Sequence, residues 1–576
     1  MKVAGSSTAP FGDASSTIRP KIHAKTFIVL ASVCFVYAGQ TIGIIASGIL
    51  TQPLGILFNS PAEGVWFATV INIFLAIGSP PACQIADYWG RKWILTIVTA
   101  FGFVGTVVIS RAQSMGAAIA GFTIMGIASA GAPLIVAIGS EVVPRKHRPY
   151  AQALVYASGT FAAVAGLLMA GALLRHNHYE NFRTFSYVHA GIFAAATVGF
   201  ALVYDPPRRE LQTTLTAREK LGKLDWTGYL LFTPGLVLFC VALSFYKNPY
   251  PWGSVRVYVT FTCGVVLTIA FGIYEWYFKK DGILNHRLFQ NRNFPLSIVL
   301  MFVEGAFFFT VNGYLVFQIA TFTGQGFFTC TLHYVVAFGG ATAALPLVGW
   351  VGSRFRTVRI PIIIGMVIAL VGLICMATAD SSTPRPDYWI FSLILGISAA
   401  WMLPSIMVAA QMSTPPDLIS ETSGLLNAAR AVGSTVGLAI NNAIFNSALF
   451  DNAPTKVAAA ALPLGLPETS LPALISGLIA RDQNALMQIP SITLDIINAA
   501  SMGLLKAYNI AFRDAWILSC TLCFLAVIVS CFLFEPENEF TSHIDAPVEK
   551  DVLESQATFE HISNAEKPHI ATTHFE

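Results

Sequence analysis

Asp87-Tyr88-Trp89-Gly90-Arg91-Lys92 is a charged turn set between two long apolar stretches, 64–86 and 93–110. An acid ends the first stretch, a glycine allows a tight reversal, and two bases open the second. Each flanking stretch is close to the ~20 residues that a helix needs to cross ~30 Å of hydrocarbon. The turn therefore lies at a membrane surface, where Arg91 and Lys92 anchor the second helix and offer Asp87 a partner. From the residues alone it is either a topology anchor or a charged latch.

Working outward, fourteen stretches have the length and apolarity of spans: 26–50, 64–86, 93–110, 115–140, 150–174, 186–204, 226–246, 255–278, 294–320, 327–351, 359–378, 388–411, 423–447 and 514–534. The composition of the 576 residues agrees, with 55% hydrophobic, 11% charged and a mean hydropathy of +0.64. A soluble core of this size would need far more surface charge. The net charge of +3 is too small and scattered for a nucleic-acid partner. The 34 Lys and Arg instead fall more than twice as often on the N-terminal side of the alternating loops, which places both termini in the cytosol.

The expected organisation is a cytosolic N-terminal tail (1–25) without a cleavable signal peptide, a first bundle of six spans (26–204) and a cytosolic linker (205–224). A two-span insert (225–279) and a second six-span bundle (280–535) follow, with an external loop at 451–512. Within that loop Leu471–Ile479 and Thr493–Leu505 read as amphipathic helices, either a lid or a packing cover. The acidic tail (536–576) is expected to be disordered and cytosolic. Its histidines His543, His561, His569 and His574 are too dispersed for a metal site, and the nine cysteines, including the Cys520/Cys523 spacing, read as small apolar residues. No metal or cofactor is expected, and no phosphate-binding glycine loop points to ATP.

Charge inside hydrocarbon is costly, so each intramembrane ionisable group is a functional candidate. Glu304 lies deep in the ninth span, before Phe307-Phe308-Phe309 and Asn312. Its alternative is a carboxyl held between helices. Arg430 in the thirteenth span is followed by Gly433, Gly437 and Asn441, and could instead snorkel to the cytosol. His189 in the sixth span either titrates or packs as a buried polar group. With Glu304 and Arg430 it forms the set of candidates for proton coupling. Gln40, Thr41, Asn312, Gln318, His333, Tyr334 and Trp401 are candidates for a cavity lining, with helix packing as their alternative. Gly159, Gly166 and Gly171 in the fifth span let helix backbones approach closely.

The run Gln84 to Lys92 resembles the cytoplasmic loop motif of the major facilitator superfamily. The resemblance implies an all-α fold of two six-helix bundles, here with two linking helices. It also implies a gate role for Asp87, Gly90 and Arg91, with Lys92 beside them. Gly349 to Arg356 is similar to a degraded second copy without the acid. Fourteen spans resemble the drug:proton antiporter branch. Four runs are similar to the fungal trichothecene-efflux-pump-like group and its siderophore-iron transporter relatives: Gly139 to Arg148, Leu224 to Gly228, Tyr250-Pro251-Trp252 and His286 to Phe289. Two departures stand out: Phe122 replaces the arginine that efflux antiporters often carry four residues before a glycine, and the fifth span lacks their Gly-Pro pair. Those two roles do not carry over.

The expectation is a monomeric, proton-coupled exporter of an amphipathic small molecule such as a toxin or secondary metabolite, and not an enzyme. It is placed in the plasma membrane, or alternatively in a vesicular or vacuolar one. A proton-coupled importer of ferric siderophores and a non-transporting receptor or scaffold are the rival readings.

Overall fold

The computed structural model describes residues 24–546, apart from 176–177, 207–209, 246–250, 481–485 and 490–491. The N-terminal tail up to residue 23, Arg208 and Arg209 of the linker, Tyr250, and the tail beyond 546 with three of its histidines lie outside the described residues.

Fourteen long helices form among the described residues, and no strand does. The first bundle holds α1 Ala24–Ile49, α2 Val65–Trp89, α3 Arg91–Arg111, α4 in segments Met115–Ser129 and Ala132–Glu141, α5 Arg148–Leu173 and α6 Phe182–Val203. Next come α7 Trp226–Phe245 and α8 Val255–Tyr277. The second bundle holds α9 Asn293–Thr323, α10 Phe327–Phe355, α11 Arg359–Thr378, α12 Arg385–Met412, α13 Ile419–Ala461 and α14 Leu494–Ser530. Thirteen of these spans are long and apolar enough to cross a bilayer. The exception is α13, whose 43 residues include Arg430, Asn441 and Asn442. Packed against α2, α9 and α14, it can carry polar groups that a lipid-facing helix could not. Large apolar side chains such as Leu202, Leu230 and Val255 stand exposed on the outer faces, where lipid is their solvent.

The helix pairings show an internal parallel repeat. In the first bundle α1 packs on α5 and α6, α3 on α4 and α6, and α2 on α4. Adding eight to each label gives the second bundle, where α9 packs on α13 and α14, α11 on α12 and α14, and α10 on α12. The bundles meet through α5 against α10 and α2 against α13, a pair of contacts exchanged by the same rule. The linking helices α7 and α8 pack on each other, and α7 touches α2 and α13.

Three boundaries differ from expectation. The loop expected at 451–512 is shorter, because α13 continues to Ala461 and α14 begins at Leu494. The expected amphipathic segment Thr493–Leu505 is the first part of α14, started by Thr493, whose side chain accepts from the Ile496 amide at 3.3 Å. Leu471–Ala480 remains a separate short α-helix.

The third difference is in the tail, which is folded at its start. Phe534 and Asn293 exchange two hydrogen bonds of 2.9 Å, and Glu535 accepts from the Val358 amide at 2.9 Å and the Arg359 amide at 3.2 Å. The chain then crosses to the first bundle. There the Arg145 and Lys146 amides donate to His543 and Thr541 carbonyls at 3.0 and 2.9 Å, and the Ala546 amide donates to Glu141 at 3.1 Å. Asp545 is buried against Arg145, at 2.9 Å, and Arg148. This acid-rich segment is held by fixed counter-charges together with the burial of Phe540 and Ile544.

Candidate functional site

Two constellations stand between the bundles. The first is on the face that carries Arg91, Arg145 and Arg148, called here the basic face. Gly90 has φ +100°, a conformation open to glycine, and this lets α3 start directly after α2. The Arg91 guanidinium forks onto Glu141, with Nη2 to Oε1 at 2.9 Å, and Nη2 also reaches Asp87 at 3.2 Å. Arg91 also donates to Ser420 at the start of α13, and the Ser420 hydroxyl donates to Asp87 at 3.1 Å. Asp87, Gly90 and Arg91 thus meet as expected, but the main acid is Glu141. Lys92 is not part of the cluster; it pairs with the exposed Asp205 at 3.3 Å.

A neutral network lies beside this ion cluster. Gln152 on α5 donates to Ser140 on α4 and to the Val136 carbonyl, Ser140 donates to Gln411 on α12 at 2.5 Å, and Gln411 donates to Ser423 on α13 at 2.8 Å. All four side chains are fully buried. Sequence reading missed Glu141, Ser140, Gln411 and Ser420 as a group, because their spacing in the chain follows no local period.

The second constellation faces a cavity of about 100 Å³ between the bundles. Glu304 and Arg430 are the charged groups among its described lining residues. They form a forked ion pair, Nε to Oε2 at 2.6 Å and Nη2 to Oε1 at 3.3 Å, and Arg430 lies 4.9 Å from the Phe308 ring centre. Glu304 is fully buried, and Arg430 is held by it and does not snorkel to the surface.

The local sequence explains the pairing. A Cβ on Gly433 would stand 2.0 Å from the Phe302 carbonyl, and one on Gly305 would stand 2.0 Å from the Arg430 carbonyl. Helices α9 and α13 therefore touch backbone to backbone, which brings the two charges side by side. Further along the same seam, Asn441 donates to Thr310 at 2.8 Å and Tyr314 to Asn442 at 2.5 Å. On the related pair α1 and α5, Tyr37 and Tyr156 meet edge to face at 5.5 Å and line the cavity opposite the ion pair.

Of the other expected lining residues, Thr41, Asn312 and Tyr334 face this cavity. Gln40 borders a smaller space beside it and donates to the Ala128 carbonyl at 2.7 Å, at the break in α4. Three are elsewhere. Gln318 clips α9 to α11 and α14 through the Met376 carbonyl and Trp516, His333 stacks on Trp389 at 3.8 Å, and Trp401 packs on Gly365. His189 is not among the cavity's lining residues; its ring bonds the Gly39 carbonyl at 2.9 Å inside the first bundle. Gly159 admits Tyr37 and Thr41 of α1, and Gly171 admits Phe328 of α10, whereas a Cβ at Gly166 would make an ordinary contact. Sequence reading named neither Tyr37 nor Tyr156; aromatic residues on apolar helices give no sign of which side they face.

Residues 28–438 match the Major Facilitator Superfamily. The chain is 23% identical over 386 residues to the MFS-type transporter ucsD of an Acremonium species, covering 67% of this chain and 64% of that protein, just under two thirds of its length. It is 23% identical to the MFS efflux transporter aclA of Aspergillus oryzae over 73% of this chain and 76% of that one. It is equally identical to the efflux pump dotC of Dothistroma septosporum over 84% and 80%. Among solved structures, the human organic anion transporter MFSD10 superposes with a TM-score of 0.54 at 12% identity, over 88% of this chain and 100% of that one. The proton:xylose symporter XylE gives 0.54 at 12%, over 91% and 98%. With two repeated bundles, an acid-glycine-base turn on the basic face and this sequence match, the chain belongs to the Major Facilitator Superfamily.

Proposed function

We propose that this membrane-spanning chain is a proton-driven exporter of an amphipathic small molecule, working as a monomer in the plasma membrane by alternating access and without covalent chemistry. The efflux relatives support the direction. The observation that carries the reading is the Glu304/Arg430 pair, the charged feature of a largely apolar cavity between the two bundles. Glu304 holds the guanidinium in place. A proton on Glu304 removes that hold, so the arginine reorients and its contact with cargo is lost. Proton and cargo then exclude each other, which is what exchange requires. Opening the cytosolic face also requires the Arg91/Glu141 cluster to part from Ser420, because that contact joins the bundles.

Reconstituted vesicles with an imposed pH gradient test the reading. Glu304→Gln is expected to reduce proton-driven flux to background while cargo binding or energy-independent exchange stays measurable. Proton-driven flux at the wild-type rate in that variant would remove Glu304 from coupling. Uptake that follows the proton would reverse the direction.

A further inference from the structure

The polar groups around the cavity are not equally committed. The Tyr334 hydroxyl donates to the Asn312 and Val311 carbonyls, Thr342 donates to Thr160 at 2.8 Å, and Thr41 donates to the Tyr37 carbonyl at 2.9 Å. Both Glu304 oxygens are taken by Arg430. Four side chains keep a donor without a hydrogen-bond partner among the described residues: Arg430 at Nη1, Asn312 at its amide, and Tyr37 and Tyr156 at their hydroxyls. The space they border is otherwise walled by Phe307, Phe308, Phe338 and aliphatic residues.

This inventory discriminates between kinds of cargo. A lipophilic cation would find the Asn312 side-chain oxygen as a neutral acceptor, but the acid is spent on a guanidinium that would itself repel the cation. A molecule with carbonyl oxygens meets open donors, and its rings meet aromatic walls. The repeat places the donors on related elements, the tyrosines from α1 and α5 and the arginine from α13, so one planar molecule can lie between the bundles and touch both. We propose that the cargo is a planar aromatic carbonyl compound, neutral or weakly acidic, whose oxygens accept from the open edge of Arg430 and from Tyr37 and Tyr156. The inference rests on the transport reading above and deepens it.

Two planar probes separate the classes: emodin, a trihydroxyanthraquinone, and ethidium, an aromatic cation. Binding is followed by fluorescence with the purified full-length chain in lipid nanodiscs, without any gradient. Emodin is expected to bind about tenfold or more tighter than ethidium. Arg430→Lys keeps an ion pair with Glu304 but removes the open second edge, so it is expected to weaken emodin about tenfold while leaving thermal stability close to wild type. Tyr37→Phe and Tyr156→Phe are each expected to weaken it about threefold. Tighter ethidium binding, equal affinities, no binding of either dye, or an Arg430→Lys variant that binds emodin as wild type would overturn the proposal. Failure of the transport reading looks different: emodin would bind in the expected pattern while proton-driven flux survives in Glu304→Gln.

Discussion

Arg91 shows how much one guanidinium decides. It forks onto Glu141 and reaches Asp87 with one nitrogen, so the bidentate contact is the stronger and the motif's own acid is the lesser partner. Glu141 is 50 residues from Arg91, and no spacing rule connects them. Glu141→Gln leaves Arg91 its Asp87 contact, so the expected stability loss is about 1–3 kcal/mol, read as a lower midpoint of thermal unfolding in detergent. Flux is expected to fall more than in Asp87→Asn. An Asp87→Asn protein that is dead beside a fully active Glu141→Gln would return the main role to Asp87. At this scale the turn itself was readable, because acid, glycine and base act on adjacent residues.

Among the elements, the C-terminal segment was misread most. Composition sees an acidic stretch with few apolar residues, yet Glu535 receives the first amides of α11 and Asp545 is buried between two arginines of the first bundle. Glu535 supplies a carboxylate at the turn where the second motif copy has none. The segment therefore ties the end of α14 to the α4/α5 turn, beside the Glu141 latch. Ending the chain after Glu535 is expected to loosen the basic face. Cys83 reports on this, because it is buried where α2 meets Gly424 of α13. In a variant whose other cysteines are serine, a membrane-impermeant maleimide applied to the cytosolic face is expected to label Cys83 about fivefold faster after truncation. Unchanged labelling would reduce the segment to a passive cover.

For the whole molecule, the repeat and the charge asymmetry together make a topological statement that labelling can check. Ser476→Cys, in the short helix between α13 and α14, is expected to react with impermeant maleimide in intact cells, and Lys146→Cys only after permeabilisation. The reverse pattern would invert the protein in its membrane. The parallel repeat also relates the two halves of the cavity. The pair α1/α5 contributes two tyrosines, and the pair α9/α13 contributes the ion pair, so corresponding seams of the repeat give the cavity an aromatic side and a charged side.

The amino-acid order alone determined the all-helical, many-span class, the expected sidedness and the Asp87 to Lys92 turn, since hydropathy, Lys/Arg bias and turn chemistry are local properties. It also singled out Glu304 and Arg430, because charge in hydrocarbon is rare. That these two meet, 126 residues apart, was decided by glycine-lined packing of α9 on α13. Tertiary structure also decided which polar residues face the cavity. In lipid, an apolar surface does not mark the outside of a helix from its packed side, and every buried polar group must find a partner. Gln318 and His189 meet that demand within a bundle, while Tyr37, Tyr156 and Arg430 keep donors open to the cavity.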